Sequence, residues 1–190
     1  MSPRADAVRN RQKLVDAARL SFAEEGVDVP LEQIAKRAGV SIGTLYNHFA
    51  DRGELVDAVL PDRMARIDAI AADSAAEPDA WTAFATFLDA LISAQARDRA
   101  VNEAVARGSI GTVDLVAECG RAGSAVLAVL ERAHVAGVLR DDFGFDELGT
   151  LMVAVANIIA LHPDDDDEAW RRHLGFVLDG IRRTPHRTEA

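Results

Sequence analysis

Apolar residues near the start of the chain recur at helical spacing. Leu14, Ala18 and Phe22 stand four apart, with Val15 and Ala17 beside them, until Gly26 supplies a stop. A second, short helix is predicted from Pro30, a residue that suits a first helical turn, burying Leu31, Ile34 and Ala35 before Gly39 ends it. Ser41 stands where an N-cap belongs and opens a third short helix through Phe49. Asp51 can cap a fourth helix beginning at Arg52, with an apolar face through Leu55, Val56 and Val59. Pro61 is expected to kink or break this fourth helix, because proline lacks the amide donor and collides with the preceding turn. Beyond it, breaks at Gly, Pro and Asp separate helices predicted near 78–97, 99–107, 113–136, 145–161 and 165–183. No stretch alternates like a strand, carries a hairpin signature or repeats at a fixed period, and residues 184–190 read as a frayed tail. The pattern is that of an all-α chain of about nine helices.

The segment LEQIAKRAGVSIGTLYNHF, Leu31 to Phe49, places two short helices around the tight turn Ala38-Gly39-Val40-Ser41. That is the layout of a helix-turn-helix whose second helix enters a DNA major groove. At about 100° per residue, Leu45 and Phe49 share one face of this helix, while Gly43 and Asn47 lie nearly opposite, flanked by Thr44 and Tyr46. The apolar pair is expected to anchor the helix, leaving a small residue, a hydroxyl, a phenol and an amide facing outward. Gly43 would let the backbone approach the groove. Asn47 can read an adenine edge with two hydrogen bonds or bond a phosphate instead. Thr44, Tyr46 and His48 can donate to phosphate oxygens, Ser41 sits at the positive helix N-terminus, and Ile42 either touches a thymine methyl or packs. Lys36 and Arg37 on the preceding helix, and Arg52 at the start of the next, are placed for backbone phosphates. A helical hairpin that merely packs is the competing reading.

Charge sharpens this picture. The 190 residues carry a net charge of −10, but residues 1–50 hold seven Lys/Arg against six Asp/Glu, so the deficit lies in the remainder. Arg4, Arg9, Arg11 and Lys13 are opposed within the first thirteen residues by Asp6 alone. A locally basic end on an acidic body suits a protein of which one end meets a polyanion. A hydrophobic fraction of 49% with 27% charged residues marks an ordinary folded protein, and aromatics at 5% argue against a strand-rich fold. The single cysteine, Cys119, excludes an internal disulfide framework and fits a reducing compartment, with a small buried apolar role as its default and redox sensing as the alternative. The N-terminus lacks a signal-peptide pattern, and the longest apolar stretch, Leu148 to Leu161, is interrupted by Gly149, Thr150 and Asn157 and is short for a bilayer span. A cytoplasmic location without membrane contact is expected.

The block Lys13 to Val59, and above all the run AKRAGVSIGTLYNHF, resembles the DNA-binding domain of the TetR family of bacterial transcriptional repressors. Two departures stand out: Val29-Pro30 occupies the place where many members open the second helix with a phosphate-touching Ser or Thr, and Ile42 stands where many carry a lysine. The resemblance implies a DNA-binding domain over 1–50 and a ligand-binding and dimerisation domain over 51–183. It further implies a repressor that holds a palindromic double-stranded operator as a homodimer and is released by a small-molecule effector. In that case the fourth helix would link the two parts. Toward the C-terminus, EPDAW and HVAGVLRDDFGFDEL resemble the SbtR-like subgroup of the family.

Within the body, the 145–161 helix offers Leu148, Leu151, Met152, Val155 and Ile159, and the 165–183 helix offers Trp170, Leu174, Val177 and Ile181. Paired with their twofold mates these would make a four-helix interface; alone they would serve the protomer core. The stripe Phe84, Phe87, Leu88 and Leu91 is a candidate pocket wall, though such stripes are more often core, and Asn102 and His134 could orient a ligand or face solvent. Asp164 to Asp167 with Glu168, next to His162, reads as a solvated acidic cap rather than a metal site, and His162 and His173 lack zinc-pair spacing. Without a Gly-rich phosphate loop, a GxSxG elbow or an HExxH, neither catalytic residues nor a cofactor or metal is expected. The rival functions are a small-molecule binding or sequestering protein with a vestigial helix-turn-helix and an α-helical enzyme using the C-terminal pocket.

Overall fold

The helical periodicity of the chain is realised along most of its length. The computed structural model describes residues 3–107, 115–162 and 168–183, and the side chains among them except those of 3, 4, 107 and 115–123. These residues form α1 (Pro3–Glu25), α2 (Leu31–Ala38), α3 (Ile42–His48), α4 (Arg52–Ala75), α5 (Ala80–Ala96), α6 (Arg99–Arg107), α7 (Leu115–Val135), α8 (Phe145–Leu161) and α9 (Glu168–Ile181). Among the described residues no helix is long and apolar enough to cross a membrane. Cys119 and the acidic run 164–167 lie outside the described side chains.

Two helix limits follow from local composition and packing, and the second removes the expected break at Pro61. The basic start of the chain is helical from Pro3 and continuous with the rest of α1, because residues 5–13 contain no glycine or proline and are mostly good helix formers. Pro61 does not break α4, which runs on to Ala75. Its ring is exposed, and the turns around it are held by buried Leu55, Val56, Val59, Leu60 and Arg63. That packing outweighs a proline cost of about 3 kcal/mol.

The chain divides into two compact units, Met1–Ala65 with Gln95–Glu118, and Arg66–Ala94 with Cys119–Ala190. The first is built on α1, which packs against α2, α3 and α6. Its core takes Leu14, Ala18 and Phe22 from α1, Ile34 from α2, Leu45 from α3, and Leu55 and Val59 from α4, each fully buried. Ala100 and Ala104 bring α6 into the same core. A buried ion pair joins α4 to the start of α6: Arg63 Nη2 lies 3.1 Å from Asp98 Oδ2, and Asp98 Oδ1 accepts the Val101 amide at 3.1 Å. Beside it, Gln95 Nε2 donates to Asn102 Oδ1 at 3.0 Å.

In the second unit, Phe84 meets Phe143 edge-on with centroids 6.1 Å apart. Arg132 of α7 donates to the carbonyls of Ser74, Ala75, Glu77 and Pro78, closing the C-terminal end of α4 where carbonyls lack helical partners. A short antiparallel hook ties the segment after α7 to the end of α9: the Arg140 amide donates to Ile181 O at 3.0 Å and the Arg183 amide to Val138 O at 2.8 Å.

Candidate nucleic-acid interface

The turn between α2 and α3 is set by local chemistry. Gly39 adopts φ 70° and ψ 33°, a left-handed conformation that costs an L side chain energy but glycine little. Its amide bonds Lys36 O at 3.1 Å and the Val40 amide bonds Ala35 O at 3.0 Å, which satisfies the last carbonyls of α2. Two residues on, Ser41 caps α3 as expected: its Oγ accepts the Thr44 amide at 3.1 Å and lies 2.9 Å from the Thr44 hydroxyl. Asp51 in turn caps α4 by accepting the Glu54 amide at 3.0 Å. Sequence positions 39, 41 and 51 therefore fix where each of these helices stops and starts.

The recognition-helix candidate is sorted by face as its periodicity predicts. Leu45 and Phe49 are buried; burial of such a side chain stabilises by about 1.5–3 kcal/mol. Ser41, Gly43, Tyr46 and Asn47 are exposed, Tyr46 to 52%, and Thr44 and His48 are half-buried. Ile42 packs against the core, the second of the two roles open to it. A Cβ at Gly43 would meet only Ser41 Oγ, at an ordinary 3.8 Å, so the fold itself does not demand glycine there.

The cations are placed less uniformly than their spacing suggests. Lys36 is exposed on α2. Arg37 donates to Ser21 Oγ at 3.0 Å and to the Glu24 carboxylate on α1. Arg52 reaches back to the carbonyls of Val27 and Val29, the latter at 2.6 Å. Two guanidinium groups expected at phosphates are thus engaged within the protein, clamping α2 and the 26–30 turn. Sequence reasoning missed these clamps because their partners lie far away along the chain. Arg11, from the basic start of α1, lies over the Phe49 ring at 5.0 Å from its centroid. The Arg4 side chain lies outside the described residues.

The remaining predicted positions fall in the following places. Phe84, Phe87, Leu88 and Leu91 are all buried in the second unit. His134 is half-buried there, its Nε2 3.2 Å from Arg140 O. Asn102 belongs instead to the first unit, bonded to Gln95. Of the proposed interface residues, Leu148, Val155, Trp170 and Leu174 are buried within the single chain. Leu151, Met152, Ile159, Val177 and Ile181 are half-buried. Phe176 and Leu161, which the sequence reading passed over, are exposed to 65% and 75%.

Two parts of the chain match known families. Residues 14–59 match the profile of bacterial regulatory proteins of the tetR family, and residues 77–183 match the C-terminal domain of SbtR-like transcriptional regulators. An HTH-type transcriptional regulator of Staphylococcus aureus is 45% identical over 53 residues, which are 27% of this chain and 29% of that relative's length. Among solved structures, a TetR transcriptional regulator of Streptomyces coelicolor is 30% identical with a TM-score of 0.60, covering 92% of this chain and 99% of its own. A TetR regulatory protein of Mycobacterium vanbaalenii is 31% identical with a TM-score of 0.58, covering 96% and 100%.

Proposed function

Because this chain belongs to the TetR family of bacterial regulators, we propose that it is a DNA-binding transcriptional regulator, a homodimeric repressor released from a palindromic operator by a small-molecule effector. The observation that carries the reading is the two-faced α3: Leu45 and Phe49 fasten it to the core, while Gly43, Tyr46 and Asn47 stand in solvent with no structural duty. In this reading Asn47 reads a base edge, Gly43 permits close approach, and Lys36, Ser41, Thr44, Tyr46 and His48 contact the backbone. One short recognition helix covers few bases, so two copies spaced by about 34–36 Å are needed to read a palindrome.

The partner surface is assigned to half-buried Met152, Ile159, Val177 and Ile181 and exposed Phe176 of α8 and α9. The effector site is assigned to the second unit, near the stripe of Phe84, Phe87, Leu88 and Leu91. The protein requires neither cofactor nor metal for this role and acts in the cytoplasm. The test is selection from a random duplex pool at near-physiological salt, followed by sequencing of the bound fraction. An enriched palindrome supports a dimeric DNA reader. No enrichment, together with binding that ignores salt, overturns it.

A further inference from the structure

We infer that the fold divides the cations around α3 into two sets, and that Arg11, positioned by Phe49, contacts a DNA phosphate while Arg37 and Arg52 do not. This assignment rests on the DNA-binding reading above and deepens it. Arg37 spends its guanidinium on Ser21 and Glu24, and Arg52 spends its own on two backbone carbonyls. Each guanidinium is thereby tethered within the protein, and swinging it out to a phosphate would break those charge-assisted bonds.

Arg11 is held differently. Its side chain is exposed, and its guanidinium lies over the face of Phe49, 5.0 Å from the ring centroid. The ring is 2% exposed and therefore fixed. A cation over an aromatic face is attracted by the ring quadrupole and uses no N–H donor. Among the described residues Arg11 makes no hydrogen bond or ion pair, so its five donors remain available for phosphate oxygens. Phe49 closes α3 two residues after Asn47, with its amide on Leu45 O at 2.9 Å. The guanidinium is thereby stationed at the end of the helix that presents Asn47 and held there before DNA arrives. Lys36, exposed on α2, joins Arg11 in the set available to DNA.

The experiment measures binding of the full chain to a labelled random-sequence duplex between about 50 and 200 mM salt, and takes the slope of log affinity against log salt. Arg11→Gln is expected to flatten the slope by about 0.9 per phosphate released, or about 2 for a twofold complex, while Arg11→Lys keeps it. Phe49→Leu is expected to weaken binding in the parent chain and to add nothing in the Arg11→Gln background, an effect that a purely structural role for the ring would not give. Arg37→Gln and Arg52→Gln should lower the unfolding midpoint and leave the slope unchanged. An Arg11→Gln slope equal to that of the parent, with the parent steep, overturns the Arg11 assignment alone. Equal flattening by Arg37→Gln or Arg52→Gln overturns the division. A parent slope near zero overturns the DNA reading itself.

Discussion

Removing the Asp98 carboxylate should be as damaging in the first unit as truncating a core side chain. Its side chain is 9% exposed and faces Arg63, which is 8% exposed, with nitrogen–oxygen distances of 3.1 and 3.2 Å. Removing one partner of a buried ion pair costs about 3–5 kcal/mol. Asp98 also caps α6 through the Val101 amide, and loss of such a cap adds about 1 kcal/mol. Asp98→Ala is therefore expected to cost about 4–6 kcal/mol, comparable with the whole stability of many domains. Asp98→Asn keeps an oxygen for the cap and should cost about 1 kcal/mol less. Arg63→Met leaves the carboxylate bonded to the Val101 amide and should cost about 1–3 kcal/mol. The double variant Arg63→Met/Asp98→Asn should cost far less than the sum of the two, because neither buried charge remains. The assay is urea unfolding followed by far-UV circular dichroism and by hydrogen exchange of α6 amides. Tryptophan emission would report the wrong unit, since Trp81 and Trp170 both belong to the second. A cost below about 1 kcal/mol for Asp98→Ala, or single costs that simply add, would refute this account of the pair.

Four further outcomes are expected. Gly26→Ala should destabilise by about 1–2 kcal/mol, because φ is +90° and the new Cβ would sit 2.9 Å from Glu103 Oε2; Gly43→Ala, by contrast, should match or exceed parental stability in the same denaturation assay while weakening DNA binding. Asn47→Ala should change which bases are enriched from the random pool, and uniform weakening across all sequences would reassign Asn47 to a phosphate. Hydrogen bonds from the Arg140 side chain hold the Asp142 carboxyl below the ordinary 3.8, and those from Thr82 do the same for Asp79. Both groups thus favour the folded state fully above the unfolded carboxylate value and lose that contribution as pH falls through the lower folded value. The second unit should accordingly weaken below about pH 4, and a carboxyl NMR titration placing either group above 3.8 would contradict this.

The parts of the fold that the sequence made legible are those decided within one helical turn. The caps at Gly39, Ser41 and Asp51 join amides and carbonyls or side chains three to five residues apart, so they follow from residue type and order. Leu45 and Phe49 against Gly43 and Asn47 follow from 3.6-residue periodicity alone. What stayed hidden is where long side chains end. Arg52 finds its carbonyls 23 and 25 residues back, and Arg132 finds its own 54 to 58 residues back. Both are basic residues that a local reading assigns to solvent or phosphate. Pro61 failed as a breaker for the same reason, since its penalty is local and the packing that offsets it is not.

Periodicity also identifies an apolar face without saying what covers it, and α8 and α9 show the consequence. A strip of Leu148 and Val155 on α8, and of Trp170 and Leu174 on α9, is consumed by the protomer. An apolar arc that served this core alone would end there, since a helix packing on one neighbour needs a stripe only about 100° wide. On α9 it does not end: Phe176, two positions past Leu174 and so about 200° around the helix, is 65% exposed, and its ring meets His173 edge-on at 5.9 Å. A large aromatic residue on the outward side of a helix whose inner side is already filled is costly to leave in water, and it calls for a second apolar surface. Phe176 is where the proposed homodimer should bury area on this side of α9. Leu174, though equally apolar, should affect folding and leave association of the folded chain unchanged.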